Sequence, residues 1–477
     1  MRKIFNFRNL PANWKNFFRS RTSKLSSKSS PRPQSLLTLS SCNSSPSFSL
    51  SILSVIIGPL ILLFFIPFYI RPTVYSGDEP HYLILANSIR FDRDLELGSD
   101  YEVVRNGSNR AGKIFTGIPL DHHTVITISD SNGFSKSLGA WHDFFDADHR
   151  ARWNIPRPPP LPQKYNEKSA RAIGWPLVIA GTSLLMPWIS IESLAKVLSH
   201  ICVFLTSVFV ALVLKKRGAS PTSWFAGGLC IFLGSSYWIY ANSAFADPLL
   251  GLIVASSIFC LEFSVYPIAL ACLMILGAWV KFQFLPIALV LVVLSFLRYS
   301  SKNFLKIIIV SAGGIIALIV FNLMEYGHIS PPMRWLQSNP IEAFRYFFVN
   351  PSTSILIRNP WLVAVLTAFC LPQVRHAIRI APSFWLLLGS LIIVPLSWGF
   401  YSGGYCYPGR LILPALIPAA LLFGALFDVA EKKGKILLCI SLATSILVNF
   451  AASVSDPRAT WTPTLEWLGV LSSPFLN

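Results

Sequence analysis

Apolar positions in this chain fall in long unbroken runs, not at the spacing of a half-buried helix or strand. No charge interrupts SLSILSVIIGPLILLFFIPFYI between 49 and 70, and runs of similar character recur as far as 454. A bilayer-spanning helix needs about 20 mostly apolar residues. The pattern therefore predicts an all-α polytopic membrane protein. Its expected spans are 51–70, 194–214, 223–240, 248–266, 267–280, 283–298, 307–323, 359–373, 383–400, 411–428 and 435–454, eleven in all. The run 173–189 is weaker, being short and holding Pro176, Gly181 and Pro187, and it reads as an interfacial or re-entrant segment.

That reading sets the sidedness. Lys215, Lys216 and Arg217 close the 194–214 run, and short cytoplasmic loops are where Lys and Arg collect. With 173–189 left out of the count, every basic cluster in a short loop falls inside. Residues 1–48 form a cytoplasmic tail, 49–454 the transmembrane domain, 71–193 a first outer loop with interfacial helices, and 455–477 a short outer tail. No internal repeat supports an inverted-repeat transporter.

Charge refines this picture. The net charge is +18, yet residues 71–172 hold thirteen Lys and Arg beside thirteen of the chain's 22 acids, while 1–48 hold nine Lys and Arg and no acid. Such a distribution fits membrane topology and argues against a nucleic-acid partner. The Ser-rich basic tail has the composition of a transit peptide or of a disordered segment that touches anionic lipid, and the second is the preferred reading. None of the eight cysteines lies in 71–172, so the large loop has no disulfide framework. IPRPPPLP at 155–162 reads as a stiff polyproline spacer.

The candidate chemistry gathers on the outer side, where the topology places Asp78, Glu79, Asp247, Lys281, Arg334, Arg345, Arg358 and Arg410. In YSGDEPHYLILANSIR, Gly77 permits a tight path and Pro80 suits the first turn of a helix. One acid is enough to cap that helix. Glu79 as the cap leaves the Asp78 carboxylate free, and the reverse division is equally readable. HDFFDADH supplies His142, Asp143, Asp146, Asp148 and His149, with His122 and His123 nearby. Their spacing matches no defined ligand pattern, so His142, Asp146 and His149 are weak metal candidates, no cofactor is required, and a divalent metal stays open.

D-E-x-x-Y directly after the first span, here Asp78-Glu79-Pro80-His81-Tyr82, resembles the GT-C superfamily of integral membrane glycosyltransferases. That superfamily includes protein O-mannosyltransferases and lipid A aminoarabinose transferases. Asp247 in SAFADPLLG matches the family's acid at the outer end of the third span. GGYCYPGRLILPALIP at 403–418 is similar to the G-P-R-Y-L-L-P-x-x-P pattern of bacterial relatives, with Tyr407-Pro408-Gly409-Arg410 in place of Gly-Pro-Arg. The resemblance covers roughly 49–425. It implies transfer of a sugar from a polyprenyl-phosphate-linked donor to a lipid, glycan or protein acceptor on the non-cytoplasmic face. It also implies a bacterial inner-membrane location.

The residues suit that chemistry. A carboxylate accepts the acceptor's proton during attack, and cations hold the departing phosphate. Asp78 is the expected base of an inverting displacement, with Asp247 positioning the acceptor or the sugar. Lys281 and Arg410 are the expected phosphate holders, and snorkelling to the interface is the plainer account of both. Arg171 in KYNEKSARAIGWP faces lipid phosphate or anchors the interfacial segment. Tyr82 and Tyr407 complete the substrate-binding set, although Trp398, Tyr401, Tyr405 and Tyr407 also fit an aromatic belt. The alternatives are a transporter or flippase of a lipid-linked or anionic solute and a non-catalytic membrane scaffold. A transporter would place ionisable residues at mid-bilayer, and Glu262 and His200 are the nearest cases, each toward a span end.

Overall fold

A computed structural model of the chain describes residues 78–105, 124–129, 135–329, 339–350, 354–370, 382–396 and 410–454. The expected tail 1–48, the span 51–70, His122, His123, Arg334, the 403–409 segment with Tyr407, and the tail 455–477 lie outside the described residues.

The described chain is mostly helical. In the first loop come α1 (Glu79–Asn87), a π turn (Ser88–Asp92) and α2 (Gly98–Arg105). Two short helices, α3 (Trp141–Phe145) and α4 (Ala147–Trp153), follow further on. The apolar runs then form α5 (Gly174–Leu185), α6 (Ile191–Lys216), α7 (Pro221–Phe232), α8 (Tyr237–Ala241), α9 (Asp247–Phe263) and α10 (Pro267–Val280). A 3-10 turn (Phe282–Phe284) leads into α11 (Leu285–Arg298) and α12 (Ser301–Tyr326). Beyond these lie α13 (Pro340–Phe344), α14 (Ile355–Arg358), α15 (Trp361–Cys370) and α16 (Pro382–Leu396). A second 3-10 turn (Arg410–Ala415), α17 (Leu416–Val429) and α18 (Lys432–Val454) end the described chain.

Among the described residues, four helices are long and apolar enough to cross a membrane: α6, α12, the continuous Arg410–Val429 stretch and Lys432–Ala452. Several shorter apolar helices accompany them, including α5 and α10. This is compatible with a multi-pass membrane protein. α12 leaves Leu305, Ile309, Ile316 and Val320 exposed along its length, a surface suited to hydrocarbon and costly in water. At 12 residues, α5 is about 18 Å long, too short to cross a hydrocarbon core of about 30 Å alone.

Two expectations need correction. The run 223–240 is not one helix, because α7 ends at Phe232 and α8 starts only at Tyr237. Tertiary contacts account for the break. The Gly234 carbonyl accepts from Trp361 Nε1 at 2.7 Å, and Leu442 lies 2.6 Å from where a Gly234 Cβ would stand. The fold is also not all-α. The first loop carries a three-stranded antiparallel sheet in the order β2-β1-β3, from β1 (Thr124–Ser129), β2 (Ser135–Ala140) and β3 (Asn166–Ser169). Val125 pairs with Ala140 on one side and Lys168 on the other. The β-branched TVITI of β1 favours a strand, but its partners SKSLGA and NEKS give little signal of their own.

Around the central α6, the helices α7, α9 and α17 pack into one apolar core that includes Val203, Ile253, Phe423 and Trp361. The sheet rests on the end of α12. Lys168 pairs with Glu325 at 2.9 Å, and Gly327, at φ 70°, lies where an added Cβ would strike the Ser135 carbonyl oxygen. At the opposite end of α9, Glu262 is held by Arg217 at 2.8 Å and Arg298 at 3.5 Å. Asp247 opens the same helix, fifteen residues earlier and thus about 22 Å away. The ionised groups of α9 therefore stand at its two ends, with an apolar length between them.

Candidate functional site: a closed chain of ion pairs

Short-range sequence chemistry sets each side chain of the site at the end of an element. Glu79-Pro80 and Asp247-Pro248 each begin a helix, α1 and α9, with proline in the first turn. Proline is tolerated there because the first N–H groups have no intrahelical acceptor. A carboxylate at such a position also lies at the favourable pole of the helix dipole. Lys281 ends α10 with extended backbone (φ −154°, ψ 117°), before the 3-10 turn that starts α11. Arg410 opens the stretch leading into α17. Arg171 sits between β3 and α5, its backbone N–H bonded to Ser169 Oγ at 3.0 Å.

Tertiary packing then joins these ends. Asp78 Oδ1 meets Arg171 Nη2 at 2.7 Å, and Asp78 Oδ2 meets Arg410 Nη2 at 2.5 Å. Arg410 Nε continues to Asp247 Oδ2 at 2.8 Å, and Asp247 Oδ1 accepts from Lys281 Nζ at 2.5 Å. The result is an unbroken chain, Arg171–Asp78–Arg410–Asp247–Lys281. Three cations face two carboxylates, a local surplus of one positive charge. The Arg410 guanidinium also lies over the Phe245 ring, 4.2 Å from its centroid, which adds a cation–π attraction. Exposure is lowest in the middle of the chain: Arg171 is 29% exposed and Asp78 14%, Arg410 2% and Asp247 1%, and Lys281 12%. The two ends, Arg171 and Lys281, are partly exposed, and the Arg410–Asp247 pair between them is buried.

The bonding of the Asp-Glu pair differs from the division into a helix cap and a free carboxylate. Asp78 stands at the N-cap position of α1, but its side chain makes no capping bond, and both its oxygens are taken by arginines. Glu79 is buried and reaches across to the turn before α9, where its Oε1 accepts from the Ala244 N–H at 2.7 Å. The same residue's carbonyl accepts from Trp175 Nε1 at 2.7 Å, and the preceding Ser243 carbonyl accepts from Ser199 Oγ at 2.9 Å. The turn that aims Asp247 is thus tied to α1, α5 and α6, and Glu79 and Trp175 are positioning residues. Burial by itself would raise the Asp78 pKa. Arg171 and Arg410, with His81 adding to them, outweigh it and hold the carboxyl well below the usual carboxylate range. Burial, then the Asp78 charge, pushes the Tyr82 phenol well above its ordinary value, so it remains protonated.

Of the remaining candidates, Tyr82 is buried in the main apolar cluster, not on an open surface. Arg345 is exposed, and Arg358 is buried with its carbonyl bonded to Asn449 Nδ2 at 2.9 Å; neither joins the ion-pair chain. His142 and His149 stack with ring centroids 5.0 Å apart, and Asp146 accepts from the His149 N–H as a helix cap. Among the described residues, no group of three or more His, Cys, Asp or Glu side chains is arranged to hold a metal ion. His200 Nδ1 bonds to the Lys196 carbonyl at 2.8 Å, a local helix contact.

A groove opens beside Asp247 and Lys281. Asp247, Lys281 and Gln283 form its polar part, and α9, α11, α16 and the Arg410–Ala415 turn supply apolar walls that include Leu250, Ile287, Leu391 and Leu411. No protein-family model, curated protein or solved structure matches the chain.

Proposed function

We propose that the protein is a membrane glycosyltransferase that moves a sugar from a polyprenyl-phosphate-linked donor to an acceptor on the non-cytoplasmic face, by a single inverting displacement. The observation that carries this reading is the continuity between the Arg171–Asp78–Arg410–Asp247–Lys281 chain and an apolar groove. A lipid-linked phosphate has those two parts, an anion and a hydrocarbon tail. The groove takes the tail, and Lys281 with Arg410 takes the phosphate. Arginine's fork suits phosphate oxygens, and both cations stand where water is largely excluded.

In the reaction, the acceptor hydroxyl attacks the anomeric carbon while its proton passes to Asp78. The bond between that carbon and the bridging oxygen breaks, and its electron pair leaves on the polyprenyl phosphate. Asp78 is favoured over Asp247 as the base because it is the more exposed of the two and lies toward the loop, where an acceptor arrives. With both oxygens on arginines, Asp78 is a weak base at rest. An incoming phosphate competes for those arginines and releases the carboxylate, so donor binding precedes base activity.

The test is transfer in purified, reconstituted protein, using short-chain isoprenyl-phosphate sugars and following release of the isoprenyl phosphate. Asp78→Asn is expected to lower kcat by about 10²–10⁴-fold, the usual contribution of a general base. Turnover at the wild-type rate in a folded Asp78→Asn protein overturns the base assignment. Movement of intact donor across the bilayer without release of isoprenyl phosphate would replace the transferase with a flippase.

A further inference from the structure

Gln283 lies in the 3-10 turn directly after Lys281 and lines the groove as its third polar residue, beside Asp247 and Lys281. Those two have each other, with the Lys281 ammonium on Asp247 Oδ1. Gln283 Oε1 is buried and accepts no hydrogen bond from any described residue. A buried amide oxygen left without a donor is costly, and native folds rarely leave one where nothing binds. The backbone of the turn that carries Gln283 is held in place by its neighbours. The Phe284 N–H donates to the Lys281 carbonyl at 2.8 Å, and the Phe284 ring fills the space where a Gly277 Cβ would stand.

The chemistry of the missing partner follows from what an amide oxygen can accept. It requires an O–H or N–H donor. On a polyprenyl-phosphate sugar, the hydrocarbon tail has no such group, and the ionised phosphate diester offers only acceptors. The glycosyl ring alone carries hydroxyl or amino donors. We infer that Gln283 is a sugar-recognition residue, its side-chain oxygen accepting a hydrogen bond from a hydroxyl or amino group of the donor's glycosyl ring. This rests on the proposed function above, and it assigns the phosphate to the cations and the ring to the amide. A site built to bond one hydroxyl rejects analogues that lack it far more strongly than a hydrophobic pocket rejects a missing methylene.

The experiment measures binding of the full chain in detergent to citronellyl phosphate and to citronellyl phosphate bearing glucose, mannose, galactose or N-acetylglucosamine. The wild type is expected to bind at least one sugar-bearing probe about tenfold more tightly than the sugar-free one. Gln283→Met, of similar volume with no amide, is expected to lose that gain while holding the sugar-free probe as the wild type does. Gln283→Glu, which keeps an acceptor, is expected to retain part of the gain. Persistence of the full gain in Gln283→Met overturns the inference, as does equal loss of sugar-free binding in a folded variant. Deoxy-sugar probes on the wild type add a readout that needs no variant to fold. At one ring position, removal of the hydroxyl should abolish the gain, and a gain that survives every deoxygenation overturns the inference. Wild-type protein that binds the sugar-free probe but gains nothing from any sugar overturns it too. Failure to bind any of the probes instead removes the proposed function itself.

Discussion

Asp78 shows how far a residue's local sequence can mislead about its bonding. DEP reads as a helix start, and α1 does begin there, but the Asp78 carboxylate bonds to Arg171 and to an arginine 332 positions away. The five members of the ion-pair chain were legible as candidates from residue type and sidedness. Their pairing was not, because it depends on which helix ends meet. Gln283 and Trp175 went unnoticed for a related reason: an amide beside a lysine and a tryptophan after a glycine carry no signal until the groove and the Ala244 carbonyl are beside them. The depressed Asp78 pKa makes a prediction about pH. A carboxylate with a lower pKa folded than unfolded stabilises the fold fully above its unfolded value, about 3.9, and loses that contribution as pH falls toward the folded value. The wild type's thermal advantage over Asp78→Asn is therefore expected to stay constant from about pH 8 to pH 5. It should shrink only in stronger acid. A gap that instead closed between pH 7 and 5 would show that Asp78 lacks its two arginines in solution.

Elements hold the site through a few close approaches. α5 lies against the end of α10, and an added Cβ on Gly174 would stand 2.6 Å from the carbonyl carbon and oxygen of Trp279, two residues before Lys281. Those are backbone atoms, which have no rotamer to yield. The glycine therefore sets how close Arg171, just before α5, comes to the acids of the chain, and Trp175, just inside it, ties α5 to the turn before α9. Gly174→Ala is expected to cost about 1–3 kcal/mol by overpacking and to pull Arg171 from Asp78. The measurement is the thermal midpoint together with the donor KM. A lower midpoint with a raised KM fits this account, and an unchanged midpoint contradicts it. At this scale the sequence was readable wherever an element is long and apolar, as in α6 and α12. It was less so where contacts cut a run, as Trp361 does at Gly234, and where weak strands pair, as β2 and β3 do with β1.

For the whole molecule, the distribution of ionised groups carries the strongest argument. Asp78, Arg171, Asp247, Lys281 and Arg410 gather at the end of the bundle where α9 begins, and Arg217, Glu262 and Arg298 gather where it ends. Sequence charge rules assign those two ends to opposite sides of a membrane, with Lys215, Lys216 and Arg217 inside. A charged group costs several kcal/mol in hydrocarbon, whereas one at an interface reaches water or a partner. Gln163, in the exposed link before β3, and Lys216, at the end of α6, are exposed positions suited to test this. In a variant without its native cysteines, made in intact bacterial cells, a membrane-impermeant maleimide is expected to label Gln163→Cys without permeabilisation. Lys216→Cys should react only after the membrane is opened. Labelling of both in intact cells would place the two charged ends on one side. That result would remove the topology on which an outward-facing transfer site depends, leaving the ion-pair chain and its groove to be explained on another basis.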